Sequence, residues 1–506
     1  MGTRDAGPVG STDGRTGRDR ELSGTQVRAA DELIADEAAS ANEEVDQPAP
    51  GGPRDARRRF DRDLTEGSIL GNLWSLAWPT TVSGSIAMLG PTIDMIWVGS
   101  LGSAALAGVG VSGIAVMMVN SAKMGLNTGT RALLARAVGA SNLDEANHVA
   151  QQAIVIAICF SLFLAAIGIF FAESILVLMG LEPDVIREGT DYMRIMFVGS
   201  ICMSMSMMAN SAMQAAGDAI NPMKITMGTR AFHVVLCPFL IFGWGIFPEL
   251  GVKGAALTNV ISQGAGATIM FWMLFTGRTR LHLSLKGFGF DLAMIWRIVK
   301  IGIPASITGM ERSLANFVMM MFIVKFGTAA VAAHTLAQRV DMMVHMPGQG
   351  FGQAAGVLAA QNVGAGKTER AERTAWTAVA FFTAIMAVAS ILIWFFAEYA
   401  VMIFNREPEL VEITATFLRI DIVSYMVFGI VIVLVSCLNG VGDTMVTMVV
   451  TLVTLWAVQI PLAWLLPQVT DWGVYGVRWA VIAALLLRTV AYTAYFRRGR
   501  WKRISV

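Results

Sequence analysis

Gly102-Ser103-Ala104-Ala105 returns 225 residues later as Gly327-Thr328-Ala329-Ala330, and the same spacing recurs along the chain. Pro79 meets Pro304, Met117-Met118-Val119 meets Met342-Met343-Val344, Gly125 meets Gly350, and Val138-Gly139-Ala140 meets Val363-Gly364-Ala365. Further on, Glu182-Pro183 meets Glu407-Pro408, Arg194 meets Arg419, and Gly217-Asp218 meets Gly442-Asp443. The register then slips by a few residues, and Gly251-Val252-Lys253-Gly254 matches Gly473-Val474-Tyr475-Gly476. Leu and Val coincide often in any apolar chain. Coincidences at Pro, Gly, Asp and Arg, held without a gap over roughly 140 residues, mark an internal duplication.

The solvent of this duplicate is lipid. Of 506 residues 55% are hydrophobic and only 15% charged, with a mean hydropathy of +0.59, whereas soluble domains keep about 25% charged. Twelve apolar runs are expected at 69–98, 104–136, 147–171, 189–216, 222–247, 252–276, 298–326, 329–360, 370–397, 411–439, 445–466 and 474–496. Each is long enough to cross about 30 Å of hydrocarbon. No strand alternation is present, so the fold expected is an all-α polytopic bundle and not a barrel. Residues 1–67 are polar and read as a disordered cytoplasmic tail, followed by six-helix bundles over 68–285 and 286–506. No cleavable signal peptide is expected, since the first apolar run begins near Ile69 and can span.

Basic residues mark alternate connections: Arg131/Arg136, Lys224, Arg278/Arg280/Lys286/Lys300, Lys367/Arg370/Arg373, and the closing Arg497-Arg498-Gly499-Arg500-Trp501-Lys502-Arg503. This places both termini in the cytoplasm of a plasma-membrane protein. Both six-span units then share one orientation, and parallel repeats of this kind leave a central cleft that rocking can open to either side. A formal charge of +1 gives no footprint for nucleic acid. Cys159, Cys202, Cys237 and Cys437 lie in apolar runs without ligand or disulfide spacing and read as packing residues. The expected partners are the bilayer and small organic substrates, the expected state is a monomer, and no cofactor beyond a coupling H⁺ or Na⁺ is implied.

The first span reads Trp78-Pro79 through Ile93-Asp94-Met95-Ile96-Trp97-Val98-Gly99 to Leu101-Gly102. The eighth and its exit read Ala332-Ala333-His334, Arg339, Met346-Pro347-Gly348, Gly352-Gln353-Ala354-Ala355 and Gly364-Ala365-Gly366-Lys367. Together these resemble the multidrug and toxic compound extrusion (MATE) family, in its DinF-like branch, over roughly residues 66–500. The resemblance implies export of organic, often cationic, compounds driven by inward flow of H⁺ or Na⁺.

Ionisable groups at membrane depth each need a reason. Asp94 falls on the family's acidic position of the first span, which implies cation coupling there. Pro79 and Pro91 interrupt the backbone ladder of that span and make it the natural hinge. The resemblance puts an Asn and an Asp on the fifth span, where this chain carries His233 and Cys237 ahead of Pro238. Losing those oxygens disfavours a hard Na⁺ ion, and histidine titrates near neutral pH, so H⁺ is the expected coupling ion, with Na⁺ at Asp94 left open. His233 reads either as a second proton site or as a hydrogen-bonded interior histidine. Asn210 and Asn259 line the same cavity or simply join helices. Glu311 lies near an acidic position used by another branch; it reads as a cation or substrate carboxylate, or as a structural ion pair with Arg339, matched by Asp341 with Arg312. Lys123 and Lys325 are expected to snorkel from near the ends of their spans. The 31 methionines suit a cavity for varied hydrophobic molecules.

Four other readings compete with this one. A lipid-linked saccharide flippase of the same superfamily calls for extra helices and a cationic cavity, an exporter of one dedicated metabolite fits equally well, and an intramembrane enzyme lacks a catalytic set. A primary pump lacks its phosphate-binding loop.

Overall fold

In the computed structural model, residues 63–402, 404 and 406–504 are described. The tail expected over residues 1–67 thus lies outside the described residues up to 62. Its last residues depart from expectation: Leu64 is fully buried against Gly217, and Lys367 donates to the Thr65 carbonyl and hydroxyl at 3.3 and 3.1 Å.

The helices in chain order are α1 (Ile69–Gly99), α2 (Ser103–Gly139), α3 (Leu143–Leu178), α4 (Pro183–Val198), α5 (Ser200–Ala215), α6 (Ile220–Phe242), α7 (Val252–Phe275), α8 (Leu292–Val324), α9 (Thr328–Gly364), α10 (Thr368–Met402), α11 (Pro408–Gly440), α12 (Thr444–Thr454), α13 (Ile460–Val469) and α14 (Val474–Arg497). Helices α4 and α5 form one rod bent by 45°. Helices α12 and α13 form another, joined by a π-helical turn at Leu455–Gln459. Twelve rods therefore stand where twelve spans are expected. Among the described residues nine are long and apolar enough to cross a membrane, ten with the bent pair. The remaining two, α7 and α9, are rich in Gly, Ala and polar residues. From Gly350 to Val363 nearly every residue of α9 is buried, so that segment faces protein, and lipid places no demand on its composition.

The duplication is visible atom by atom. A Cβ added at Gly125 would meet Ser306, and one at Gly350 would meet Thr81; one at Gly139 would strike the Gln361 carbonyl at 2.0 Å, and one at Gly364 the Arg136 carbonyl at 2.1 Å. In each pair both members shift by 225 and the halves exchange roles, which is the signature of a pseudo-two-fold axis between α2·α8 and α1·α9. The surface repeats too: Arg194 pairs with Glu173 at 3.4 Å, and Arg419 with Glu398 at 2.8 Å. Helices α2 and α9 both start from a glycine, Gly102 (φ 120°) and Gly327 (φ 94°), in backbone that side chains avoid. Pro183 and Pro408 open α4 and α11 at their first turns, where a missing N–H costs nothing.

Among the described residues the halves share a core at one end. One large core runs through Leu133 and Met208 of the first half and Phe351, Phe382 and Leu434 of the second, at the end carrying the basic connections. There Arg136 donates to the Val441 and Ile504 carbonyls at 3.2 and 3.0 Å, Arg131 to Gln353 at 3.1 Å, and Gln361 to the Ala215 carbonyl at 2.6 Å. Toward the other end the cores are separate, one around Val98, Tyr192 and Ile241 and others around Phe417 and Ile323. The exposed Met117, Met118, Met342 and Met343 lie on that side of the joint. Residues 63–504 by themselves form a V, closed at the basic end.

Candidate functional site

Helix α1 runs unbroken through both of its prolines, but each ring removes one backbone donor. Just after the second, Asp94 turns into the first half and is 2% exposed. Its Oδ1 lies 2.8 Å from Nε2 of His233 on α6 and 3.6 Å from the Cys237 thiol one turn on. The far ring nitrogen of His233, Nδ1, lies 3.2 Å from an Nη1 of Arg230. A guanidinium only donates. Nδ1 must therefore accept, the proton sits on Nε2, and the imidazole donates to Asp94. The resulting chain is Arg230 to His233 to Asp94, and at its end Oδ2 of Asp94 is buried without a partner. Arg230 fits because residue 90 is glycine, where a Cβ would lie 2.2 Å from its Nη1. The guanidinium therefore crosses α1 at its weakest turn.

This geometry bears on the coupling ion. The oxygen, nitrogen and sulfur atoms of Asp94, His233 and Cys237 lie within 4.8 Å of one another. A hard cation such as Na⁺ takes several oxygens, and the three offer one free carboxylate oxygen, an imidazole that presents N–H, and a thiol. A proton needs only the free oxygen. A second proton on His233 would turn Nδ1 into a donor facing the guanidinium, so in this arrangement the histidine positions the carboxylate.

The other expected members lie apart. Asn210 accepts from Gln214 one turn along its own helix, at 2.5 Å. Asn259 is buried on α7 with its Oδ1 unpartnered and makes no hydrogen bond to Asp94. Glu311 is buried on α8 in the field of Arg488 on α14, and Arg312 adds to it. The expected pairs Glu311–Arg339 and Asp341–Arg312 do not form, because Arg312 and Arg339 are exposed and Asp341 is engaged elsewhere. Tyr425 donates to Asp341 at 2.5 Å, and Arg478 lies 3.5 Å from Asp341 and 3.0 Å from Asp421. The second half thus holds its own buried cluster, of two carboxylates around one guanidinium stacked on Phe417.

Arg230, Asp421 and Arg478 were not singled out from sequence. Each lies in an apolar span, and the rule that flagged Asp94 and Glu311 applies equally to them. What the sequence lacks is the packing: Asp421 and Arg478 meet from α11 and α14, and Arg230 finds room beside His233 of its own helix only because residue 90 is glycine.

Comparisons agree with this architecture. The MatE family model matches residues 79–239 and again 304–465, so its two copies begin at the paired prolines. The probable multidrug resistance protein YoeA of Bacillus subtilis is 26% identical over 85% of this chain and 93% of its own length. A FAD transporter of Shewanella oneidensis is 26% identical over 83% of this chain and 92% of its own. A crystal structure of MATE in the bent conformation superposes with a TM-score of 0.81 at 22% identity, over 86% of this chain and 96% of that one. The chain belongs to the MatE family of multidrug and toxic compound extrusion transporters.

Proposed function

We propose that the protein is a proton-coupled antiporter of the plasma membrane, with both termini cytoplasmic, that exports amphiphilic, mainly cationic organic compounds by alternating access. The observation that carries this reading is the buried, unpartnered Oδ2 of Asp94 at the end of the Arg230–His233–Asp94 chain. A proton arriving there cancels the charge that the His233 N–H and, through it, Arg230 are aligned upon. Helix α1 then loses its tie to α6 at the turn weakened by Gly90 and Pro91, and it can bend. With the basic end cytoplasmic, the V opens outward, the state in which substrate leaves and protons enter. Glu311 and the Asp341 cluster supply negative charge in the second half for a cationic substrate.

Proteoliposomes with imposed gradients test the reading. Dye efflux should follow a pH gradient without Na⁺ and disappear in Asp94→Asn. Drive by Na⁺ alone would overturn it. The match to a relative named FAD transporter supports a second reading, export of one dedicated metabolite. Competition of that flavin against cationic dyes separates the two.

A further inference from the structure

Two short stretches cross the closed end of the V, and the proton site uses neither. The first, residues 63–67, leads into α1. Leu64 is 1% exposed and packs on Gly217 between α5 and α6, and Asn72 of α1 donates to the Leu64 and Glu66 carbonyls at 3.2 and 2.7 Å. Those contacts stay within the first half. The second half holds the same stretch from its other side. Lys367 donates to Thr65, and Arg370, in the first turn of α10, donates to the Glu66 and Gly67 carbonyls, both at 2.9 Å. The second stretch, residues 284–291, leads into α8 and is held by the first half. Asn147 and Gln151 of α3 donate to the Ser284 carbonyl at 3.1 and 2.6 Å. Gln152 donates to the Gly289 carbonyl at 2.7 Å and accepts from the Asp291 N–H at 3.2 Å. His148 lies 3.0 Å from Asp291, whose other oxygen caps α8 at Ala293 and Met294.

These stretches are counterparts. Helices α1 and α8 open the two halves, and the 225-residue repeat carries Leu143 at the start of α3 onto Thr368 at the start of α10. Each half therefore lays the segment before its first helix on the start of the other's third rod. The anchoring side chains do not repeat. Lys367 and Arg370 correspond to Asn142 and Glu145, which bond to each other, so cations hold one stretch and amides the other. The arrangement has survived a change of chemistry, as expected where the tie itself matters. Opening the basic end must part α10 from the first stretch and α3 from the second. Chain length does not forbid this, because the sixteen residues 276–291 between α7 and α8 reach about 50 Å when extended. The hydrogen bonds resist it, and each has a net worth of only about 0.5–1.5 kcal/mol, or about 1.5–3 where charged, firm together and breakable one by one. We propose that residues 63–67 and 284–291 form a paired latch that keeps the basic end closed and must leave α10 and α3 before the protein can open there. The latch rests on the alternating-access reading above.

Single-molecule energy transfer in proteoliposomes under a pH gradient tests it. Fluorophores are attached through azido residues replacing Asp144 and Glu369, exposed counterparts in the first turns of α3 and α10. Cys159 and Cys202 are replaced by serine, since the other two cysteines are buried. Thr65→Cys with Lys367→Cys, or His148→Cys with Asp291→Cys, is then bridged by a short bis-methanethiosulfonate. Either bridge should hold energy transfer at its closed value and lower dye efflux at least about tenfold, and reductant should restore both. Lys367→Gln with Arg370→Gln frees one stretch without any bridge and should raise the ratio of open to closed molecules during turnover roughly tenfold, the weight of one charged hydrogen bond. It also serves should a cysteine pair fail to fold. Efflux and alternating energy transfer that persist with the bridges in place, or an unchanged ratio in Lys367→Gln with Arg370→Gln, would overturn the latch and leave alternating access standing. Energy transfer that never alternates in unbridged, exporting protein would overturn alternating access and the latch with it.

Discussion

Replacing Gly139 by Ala should force the closed end of the V apart. The new Cβ would lie 2.0 Å from the Gln361 carbonyl, against 3.4 Å for an ordinary contact, so α2 and α9 must separate by about 1.4 Å. Overpacking of this kind costs about 1–3 kcal/mol, which shifts the balance toward the state open at the basic end by roughly 5–150-fold. The pseudo-two-fold axis adds a stricter demand. Gly364→Ala meets the Arg136 carbonyl at 2.1 Å and should act as strongly, although it lies in the other half. Spin labels at Ser103 and Thr328, the first residues of α2 and α9, would read the effect by double electron–electron resonance. Both variants should enrich the shorter distance across the open end and slow efflux together. Unchanged distances in both, or an effect from one alone, would refute the symmetric joint.

Four further outcomes are expected. Asp94→Asn should lower proton-driven efflux at least about tenfold, the weight of one charge-assisted hydrogen bond, and flatten its dependence on pH. Arg230→Gln and Gly90→Ala should each impair efflux too, the first by freeing the ring of His233 and the second by displacing the guanidinium; efflux at wild-type rate in both would exclude the relay. Trp501, fully buried, stacks on Phe496 at 4.6 Å and donates to its carbonyl, so Trp501→Ala should cost about 3–5 kcal/mol, seen as a fall in thermal midpoint. His148 beside Asp291 holds that carboxyl below its usual range; the pair's contribution is complete near neutral pH and fades as pH falls through the lowered value, so Asp291→Asn and wild type should converge in thermal midpoint on acidification.

Much of the fold was legible because a membrane simplifies the code: apolar length counts helices, basic connections orient them, and the duplication tests the count. Helix ends were less legible. Helix α3 starts at Leu143 rather than 147 and ends at Leu178 rather than 171, because polar helix ends continue past the hydrocarbon and composition is blind to them there. The break at Gly199 was invisible: its counterpart by the repeat, Ser424, lies in the unbroken α11, and what distinguishes Gly199 is Val260 pressing into it from α7. Within the site, Asp94 and His233 were legible as residue types out of place in lipid. Arg230 was not, because its meaning rests on a missing side chain at Gly90. The expected pairing of Asp341 with Arg312 failed for a related reason. Similar depth on adjacent helices does not fix which way a side chain turns, and Tyr425 and Arg478 occupy Asp341 from two other helices.

The single shared core also sets how firmness is distributed. Local unfolding draws on regions with few buried apolar contacts. The small separate clusters around Tyr192, Phe417 and Ile323 should therefore exchange their amide hydrogens far sooner than Leu134 or Leu434 within the large one. The protein should therefore be softer at its mouth than at its closed end. A mouth that yields can mould itself around cargoes of unequal shape, while the rigid end keeps the two arms in register and the membrane sealed.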